Sequence, residues 1–394
     1  MTLASRNWAS VIYAWWKGVS TARKVLSVAC AIVIALVASF WLTAGGVGDP
    51  ELCYDVPKPG ECETCPVPPE PVPKGDRLLG VDVNETPDAN YQKAFTHAQE
   101  LGMQFTELML AWDELEPQPG KYDDTLLDIA NEFYPSQDTQ VALTIMPIDT
   151  VVNRVPIGLS SEHLDSDATI ARFNALLTHV LERMSDVDIL VLSIGNEVDA
   201  YLGDSDSSWA EYEAFFSETA AHARNVRPGI KVGVKMQYVA LVDDVVERGT
   251  SLNARADTVL ATYYPLNPDF TVRPPWQVDE DIGRLVDIYP EDELMLLEFG
   301  YPTAQLLNSS EELQQDFIGH TFDMWDHYSL WLKAICFTSL YDRPAEEAQS
   351  LAGYYGHDDE NFIAFLSMRG LAQVDGTPKL GFETLDGLAG VRGW

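Results

Sequence analysis

The chain predicts an α/β fold of the (β/α)8 TIM barrel type, and three observations carry that reading. Over residues 77–394, short apolar runs alternate with amphipathic stretches eight times, as eight strand–helix units would. The apolar runs end in polar or aromatic side chains, as barrel strands do where their C-terminal ends open on a shared mouth. No glycine-rich phosphate fingerprint follows the first run, which counts against an open doubly wound sheet, the runner-up.

The elements follow in order. Residues 1–24 form a short basic segment, expected on the cytoplasmic side. VLSVACAIVIALVASFWLTA (residues 25–44) carries no charge over twenty positions, enough for a helix across a hydrocarbon core of roughly 30 Å. That run is longer than a signal-peptide core, and Leu42-Thr-Ala44 makes a poor cleavage site, so an uncleaved signal anchor is expected. Bases precede the span and acids follow it, which puts the bulk outside, periplasmic or extracellular. Residues 45–76 read as a stalk, with eight prolines between positions 49 and 76 favouring extended, semi-rigid chain. Cys53, Cys62 and Cys65 fall within it, where one pair could close a loop and leave one thiol spare.

Charge divides the chain unevenly. The first 48 residues hold four bases and no acid, leaving 21 bases against 61 acids in the remainder of a chain whose net charge is −36. So negative a surface argues against nucleic acid as a partner, and the membrane is expected as a partner only through residues 25–44.

Eight candidate strands follow: LLGVDVN (78–84), QFTELMLAW (104–112), QVALTIMPI (140–148), DILVLSIGN (188–196), IKVGVKMQY (230–238), DTVLATYYP (257–265), ELMLLEFGY (293–301) and LWLKAICFTSLY (330–341). Helical patterns separate them, with 171–184 and 209–226 the clearest and the stretch after Leu241 the weakest. Cys336, inside an apolar run, reads as a buried free thiol. Gly203-Asp-Ser-Asp-Ser207 reads as a helix start rather than a calcium loop, for want of a full ligand set. No metal site is expected.

At the strand ends lie Asp82, Trp112, Asn196, Glu197, Tyr263, Tyr264, Glu298, Tyr301 and Tyr341. A ring of acids and aromatics describes a cleft for a polar ligand with flat faces. The dipeptide Asn-Glu occurs three times, but only Asn196-Glu197 directly follows a strongly apolar run, VLSIG. Glu298 ends LMLL in the same way. These are the fourth and seventh strands, which barrel closure brings to opposite sides of the mouth.

Here the sequence resembles the clan A retaining glycoside hydrolases. WDELEPQPGKYD (112–123) is similar to the clan's segment after strand two, and LAQVDGTPKLGFETL (371–385) to its closing segment. LLGVDVN, TYYP and LEFGYPT resemble the arabinogalactan endo-β-1,4-galactanases, and the Glu-x-Gly-x-Pro pattern resembles plant-type endo-β-1,3-glucanases. The resemblance implies that Glu197 is the general acid/base, Glu298 the nucleophile, and Asn196 a partner of the sugar 2-hydroxyl. It implies hydrolysis of a β-linked oligo- or polysaccharide without a cofactor, in endo mode if the aromatics form subsites. It also implies that Tyr263 or Tyr264 donates to Glu298.

Two acids must then hold different protonation states at one pH, and proximity helps, because ionising one raises the other's pKa. One departure stands out. Many members carry an arginine on strand two that supports the nucleophile, whereas this chain has Glu107. Lys235 or Arg154 could substitute. If neither does, the rival reading is a catalytically inactive barrel that binds glycans at the cell surface. A second rival is a surface scaffold that works through its cysteine-rich stalk.

Overall fold

A computed structural model describes residues 70–394, apart from 86–89, 160 and 244. The basic segment, the apolar span at 25–44 and the three stalk cysteines lie outside the described residues. Among the described residues no helix is long and apolar enough to cross a membrane. The compact unit runs from Pro71 to Trp394 and so takes in residues 71–76, which the sequence placed with the stalk. Long-range bonds hold that lead-in to the last helices. Lys74 N donates to Arg392 O at 2.8 Å, and Val72 N to Asp326 at 3.1 Å.

Eight parallel strands form the barrel. They are β1 (Leu78–Val81), β2 (Phe105–Ala111), β3 (Gln140–Asp149), β4 (Ile189–Asn196), β5, β6 (Val259–Tyr263), β7 (Leu294–Phe299) and β8 (Leu332–Phe337). Strand β5 is made of two pieces, Val232–Gly233 paired with β4 and Lys235–Gln237 paired with β6. The β1–β8 pairing, Leu78 opposite Ala334 through Val81 opposite Phe337, completes the ring. All eight predicted strands are present.

Helix starts lie upstream of the periodic patterns because the caps do. Ser166 and Ser205 accept hydrogen bonds from Thr169 N and Ser208 N, which starts helices at Asp167–Arg183 and Asp206–Val226. Gly203 to Ser207 is therefore a helix-start loop. After β5 the chain forms two short helices, Tyr238–Val242 and Val246–Asn253, where the pattern was weakest.

Side chains alternate between two cores, as a period of two requires. Phe105, Ala142, Val191, Leu260, Met295, Leu297, Ala334 and Cys336 pack together inside the barrel, while residues one step away join the larger layer between strands and helices. Cys336 is a buried free thiol. Gly80, in register with Phe105, makes room for its ring, which a Cβ at that position would strike.

Candidate active site

Strand parity carries the inner face up to the mouth. Two residues beyond Phe105 lies Glu107, beyond Val191 lies Ser193, and beyond Leu260 lies Thr262. Lys235 is in register with Leu260 and so points inward too. Its Nζ is fully buried and lies 2.6 Å from Glu107 Oε1 and 2.9 Å from Glu298 Oε1. Thr144 Oγ1 donates to Glu107 at 2.8 Å. Strand β5 thus sets a cation between Glu107 on β2 and the glutamate at the end of β7. Arg154, the other candidate, pairs instead with Asp113 and Glu114.

Glu298 reaches the inner face through a register shift. Leu296 pairs with Ala261, but the next pairing is Glu298 with Thr262, so Leu297 is an extra residue on β7. Without that bulge, alternation would turn Glu298 toward the helices, since Met295 and Leu297 already face inward. The side chain keeps 14% of its surface exposed. Tyr264 Oη donates to Oε2 at 3.2 Å, and Arg369 Nη1 donates to Tyr264 Oη at 3.2 Å. Burial raises the Glu298 pKa, but the Lys235 and Arg369 cations outweigh it and hold the carboxyl below its usual value. Burial, only partly offset by Lys235, pushes Glu107 up to about 7.

Glu197 is placed by backbone rather than by register. Gly195 has φ of 93° and no room for a side chain, since a Cβ would meet Tyr212 Oη at 2.7 Å. Glu197 itself sits in the left-handed region, at φ 43° and ψ 47°, just before helix Val198–Leu202. Thr150, which is β-branched, also has positive φ, at 51°. Such conformations are costly away from glycine and persist where surrounding structure enforces them. Here both strained residues meet: Thr150 Oγ1 donates to Glu197 Oε2 at 3.0 Å, and Thr262 Oγ1 donates to Oε1 at 2.6 Å. Burial and then the Glu298 charge raise the Glu197 pKa. Because Thr262 is also the register partner of Glu298, on a neighbouring strand about 4.8 Å away, both carboxyls share one corner of the mouth. Cations move Glu298 toward its charged form, whereas burial and the Glu298 charge move Glu197 toward its protonated form against the two hydroxyls that donate to it.

Asn196 Nδ2 donates to Asp149 Oδ1 at 2.9 Å, and its Oδ1 is buried without a partner among the described residues. Tyr354 Oη donates to Asp149 Oδ2 at 2.7 Å and accepts from Arg154 Nη1 at 2.8 Å, tying Asn196 to the helix Ala345–Tyr354. Asp82 extends the inward series Leu78, Gly80 to the mouth, where Arg343, Arg369 and Glu298 act on its carboxyl.

Four of the aromatic candidates require correction. Trp112 is 0% exposed, packs on Phe173 and donates to Glu116 at 2.9 Å. Tyr263 pairs with Phe299 on the outer face and donates to Asp281 at 2.9 Å, so Tyr264 alone reaches Glu298. Tyr301 is buried and donates to Arg273 O at 2.7 Å. Tyr341 is buried with its Oη 2.9 Å from His97 Nδ1. Each reads as a strand-end residue, but each has its ring between strand and helix rather than over the cleft. A cavity of about 490 Å³ touches Tyr341, His97 and Asp375, and none of the strand-end acids lines it.

Sequence reasoning missed Thr150, Thr262, Asp199, Arg343 and Arg369. Thr262 had a signal, two steps from the apolar Leu260. Asp199 accepts from Gln237 N at 3.0 Å, and burial pushes it up to about 7. Arg343 and Arg369 come from loops far along the chain and carried none. Among the described residues His163, Asp165 and Glu211 bring ligand atoms within 4.8 Å, but His163 already bonds Glu211 and none of the three ends a strand.

No protein-family model matches the chain, and no curated protein matches it either. Solved structures do. An exo-β-1,4-mannosidase from Opitutaceae bacterium strain TAV5 superposes with a TM-score of 0.63 at 16% identity, covering 79% of this chain and 59% of that one. This chain therefore spans less than two thirds of that protein. The GH5_18 protein of Bifidobacterium longum, in complex with Manβ1-4GlcNAc, gives 0.64 at 14% identity over 80% of this chain and 78% of that one. Its counterpart from Streptomyces cattleya, in complex with the same disaccharide, gives 0.61 at 13% identity over 79% of each. At these identities the likeness is one of fold, the parallel (β/α)8 barrel.

Proposed function

We propose that the chain is a retaining glycoside hydrolase that cleaves a β-glycosidic bond by double displacement. Glu298, ionised, attacks the anomeric carbon while Glu197, protonated, delivers its proton to the departing oxygen. A glycosyl ester on Glu298 and a free alcohol result. Glu197, now a carboxylate, takes a proton from water, which attacks the anomeric carbon and releases Glu298. Asn196, with Nδ2 committed to Asp149 and Oδ1 free, accepts a hydrogen bond from the sugar beside Glu298. Asp82 and Tyr264 complete the sugar-facing side.

The opposed environments of the two strand-end glutamates carry this reading. Cations beside Glu298, and burial next to that charge at Glu197, are what a nucleophile and an acid respectively require at one pH. The inactive-barrel alternative drew part of its motive from Glu107, and Lys235 answers that part. Endo action loses its main support, since Trp112, Tyr301 and Tyr341 are buried. The β-mannosidic disaccharide held by two structural neighbours is a reasonable first neutral substrate.

Proton NMR of the first-formed sugar decides the stereochemistry, and retention is expected. Inversion, or carboxyl oxygens about 6.5–9.5 Å apart rather than about 5–5.5 Å in a liganded crystal, would overturn the assignment. The apolar run at 25–44 and the proline-rich stalk support tethering of the barrel outside a cytoplasmic membrane. Extraction of the full chain by salt alone, without detergent, would count against that tether.

A further inference from the structure

In a chain with 61 acids and 25 bases, a buried arginine should find a carboxylate easily. Four arginines are buried among the described residues. Arg77 pairs with Asp326 at 2.8 Å, Arg154 with Glu114 at 2.6 Å, and Arg392 with Asp326 at 2.7 Å. Arg369, 9% exposed, has no carboxylate within 4.0 Å among the described residues. Its one side-chain hydrogen bond goes to Tyr264 Oη, it lies against the Tyr264 and Phe365 rings, and its Nε is buried without a partner.

Arg343 lies beside it, half-buried and likewise without a carboxylate partner among the described residues. Arg343 N donates to Ser367 O at 2.8 Å, Ser367 Oγ donates to Arg343 O at 2.9 Å, and Gly370 N donates to Asp342 Oδ1 at 2.9 Å. These bonds hold residues 342–343 against 367–370, so two guanidiniums leave adjacent backbone, Arg369 reaching Glu298 through Tyr264 and both acting on Asp82. Arg343 Nε is buried without a partner, and no ion pair to Arg343 is present among the described residues. Burial, and then the Arg369 charge, pull the Arg343 pKa down, as adjacent like charges do.

The acids that act on the two guanidiniums are Asp82, Glu298 and Glu347. Lys235 already occupies Glu298. Asp82 acts on both guanidiniums but makes no ion pair within 4.0 Å with either among the described residues, and burial raises its pKa. A charge held away from water without a partner is costly, so a fold that sets a buried and a half-buried guanidinium side by side has a use for them. Guanidinium forks match planar and tetrahedral oxyanions, and few other ligands repay this arrangement.

We propose, resting on the glycosidase reading above, that Arg343 and Arg369 form an oxyanion subsite beside Glu298 and that the sugar bound there carries a carboxylate or an ester sulfate. The subsite sets specificity. Arg369 additionally supports Glu298 through Tyr264, whereas Arg343 contacts the oxyanion alone, which makes Arg343 the position to vary.

The test uses the full chain and aryl β-glycosides in matched sets of gluco, galacto and manno configuration: the neutral sugar, its uronate and its 6-sulfate. The expected result is that one anionic member exceeds its neutral partner in kcat/KM by about 100-fold. Arg343→Gln should lower that ratio about 10–100-fold, with Arg343→Lys intermediate. The uronate and sulfate arms identify which oxyanion is read. Equal or better turnover of every neutral member, or loss of all members alike in Arg343→Gln, overturns the subsite while leaving the hydrolase reading intact. Turnover of none sinks the hydrolase reading instead. Calorimetric binding of the free uronates, sulfated sugars and neutral sugars then decides the subsite. Preference for an anionic sugar that Arg343→Gln abolishes supports it, and equal or no binding of the anionic sugars overturns it.

Discussion

The two sides of the barrel mouth are built by different means. On the Glu298 side, charge does the work: Lys235 and Arg369 hold a carboxylate ionised, and a bulge at Leu297 aims it inward. On the Glu197 side no cation lies within 4.0 Å among the described residues, and Lys235 acts only from farther away. Strained backbone aims the side chain, and two threonine hydroxyls, which can donate to a carboxylate or accept from a carboxylic acid, surround it. The difference teaches that a nucleophile needs one protonation state fixed, while an acid/base group needs surroundings that tolerate both.

The largest effect should come from breaking each side in turn. Glu298→Gln is expected to abolish turnover of every substrate, whatever its leaving group. Glu197→Gln should cost about 10²–10⁴ in kcat/KM on an unactivated β-glycan, but far less on a dinitrophenyl glycoside, whose leaving group needs no proton. Equal losses on both substrates would mean that the two sides do not have separate jobs.

Next comes Lys235→Met. Glu298 loses the cation that holds its pKa down, so the acidic limb of the kcat/KM profile should move to higher pH. Two buried carboxyls also lose their partner, so stability should fall by about 3–5 kcal/mol in denaturant titrations. Adding Glu107→Gln should restore part of that stability without returning the acidic limb. If the limb stays at the wild-type pH in Lys235→Met, the bridge is structural only.

Tyr264→Phe removes the hydroxyl that donates to Glu298 at 3.2 Å. About a tenfold loss in kcat/KM is expected, the low end for a hydrogen bond to a charged group. Tyr263→Phe, on the outer face, should leave kcat/KM unchanged and act only on stability, through Asp281. Reversal of this pair would exchange the two faces assigned here.

The smallest effect concerns Asp199 near the Glu197 side, which burial pushes up to about 7. Its native form binds a proton more tightly than the unfolded chain does. Its contribution to stability is therefore full below about pH 4 and lost as pH rises through about 7. Asp199→Asn should flatten the pH dependence of Tm over that window, and an unchanged slope would remove Asp199 from the account.

The period-two pattern and the strand count made the barrel, the eight strands and both glutamates legible. They failed at the tyrosines for a physical reason. Tyr263 and Tyr264 are adjacent, so alternation sends one outward and one inward, and nothing local says which. Trp112, Tyr301 and Tyr341 failed because a strand-end position does not specify which way a large ring turns. Their partners, Glu116, Arg273 O and His97, lie 4, 28 and 244 residues away.

By itself the sequence determined the elements that short-range periodicity encodes, the barrel order, and the presence of an acid at the ends of β4 and β7. Only tertiary structure decided which way those acids face and what surrounds them. An inserted residue at Leu297 reverses facing beyond it, which alternation alone would misread. The cations beside Glu298 arrive from β5 and from the loop at Arg369, and barrel closure alone brings them to the same corner as a carboxylate from β7.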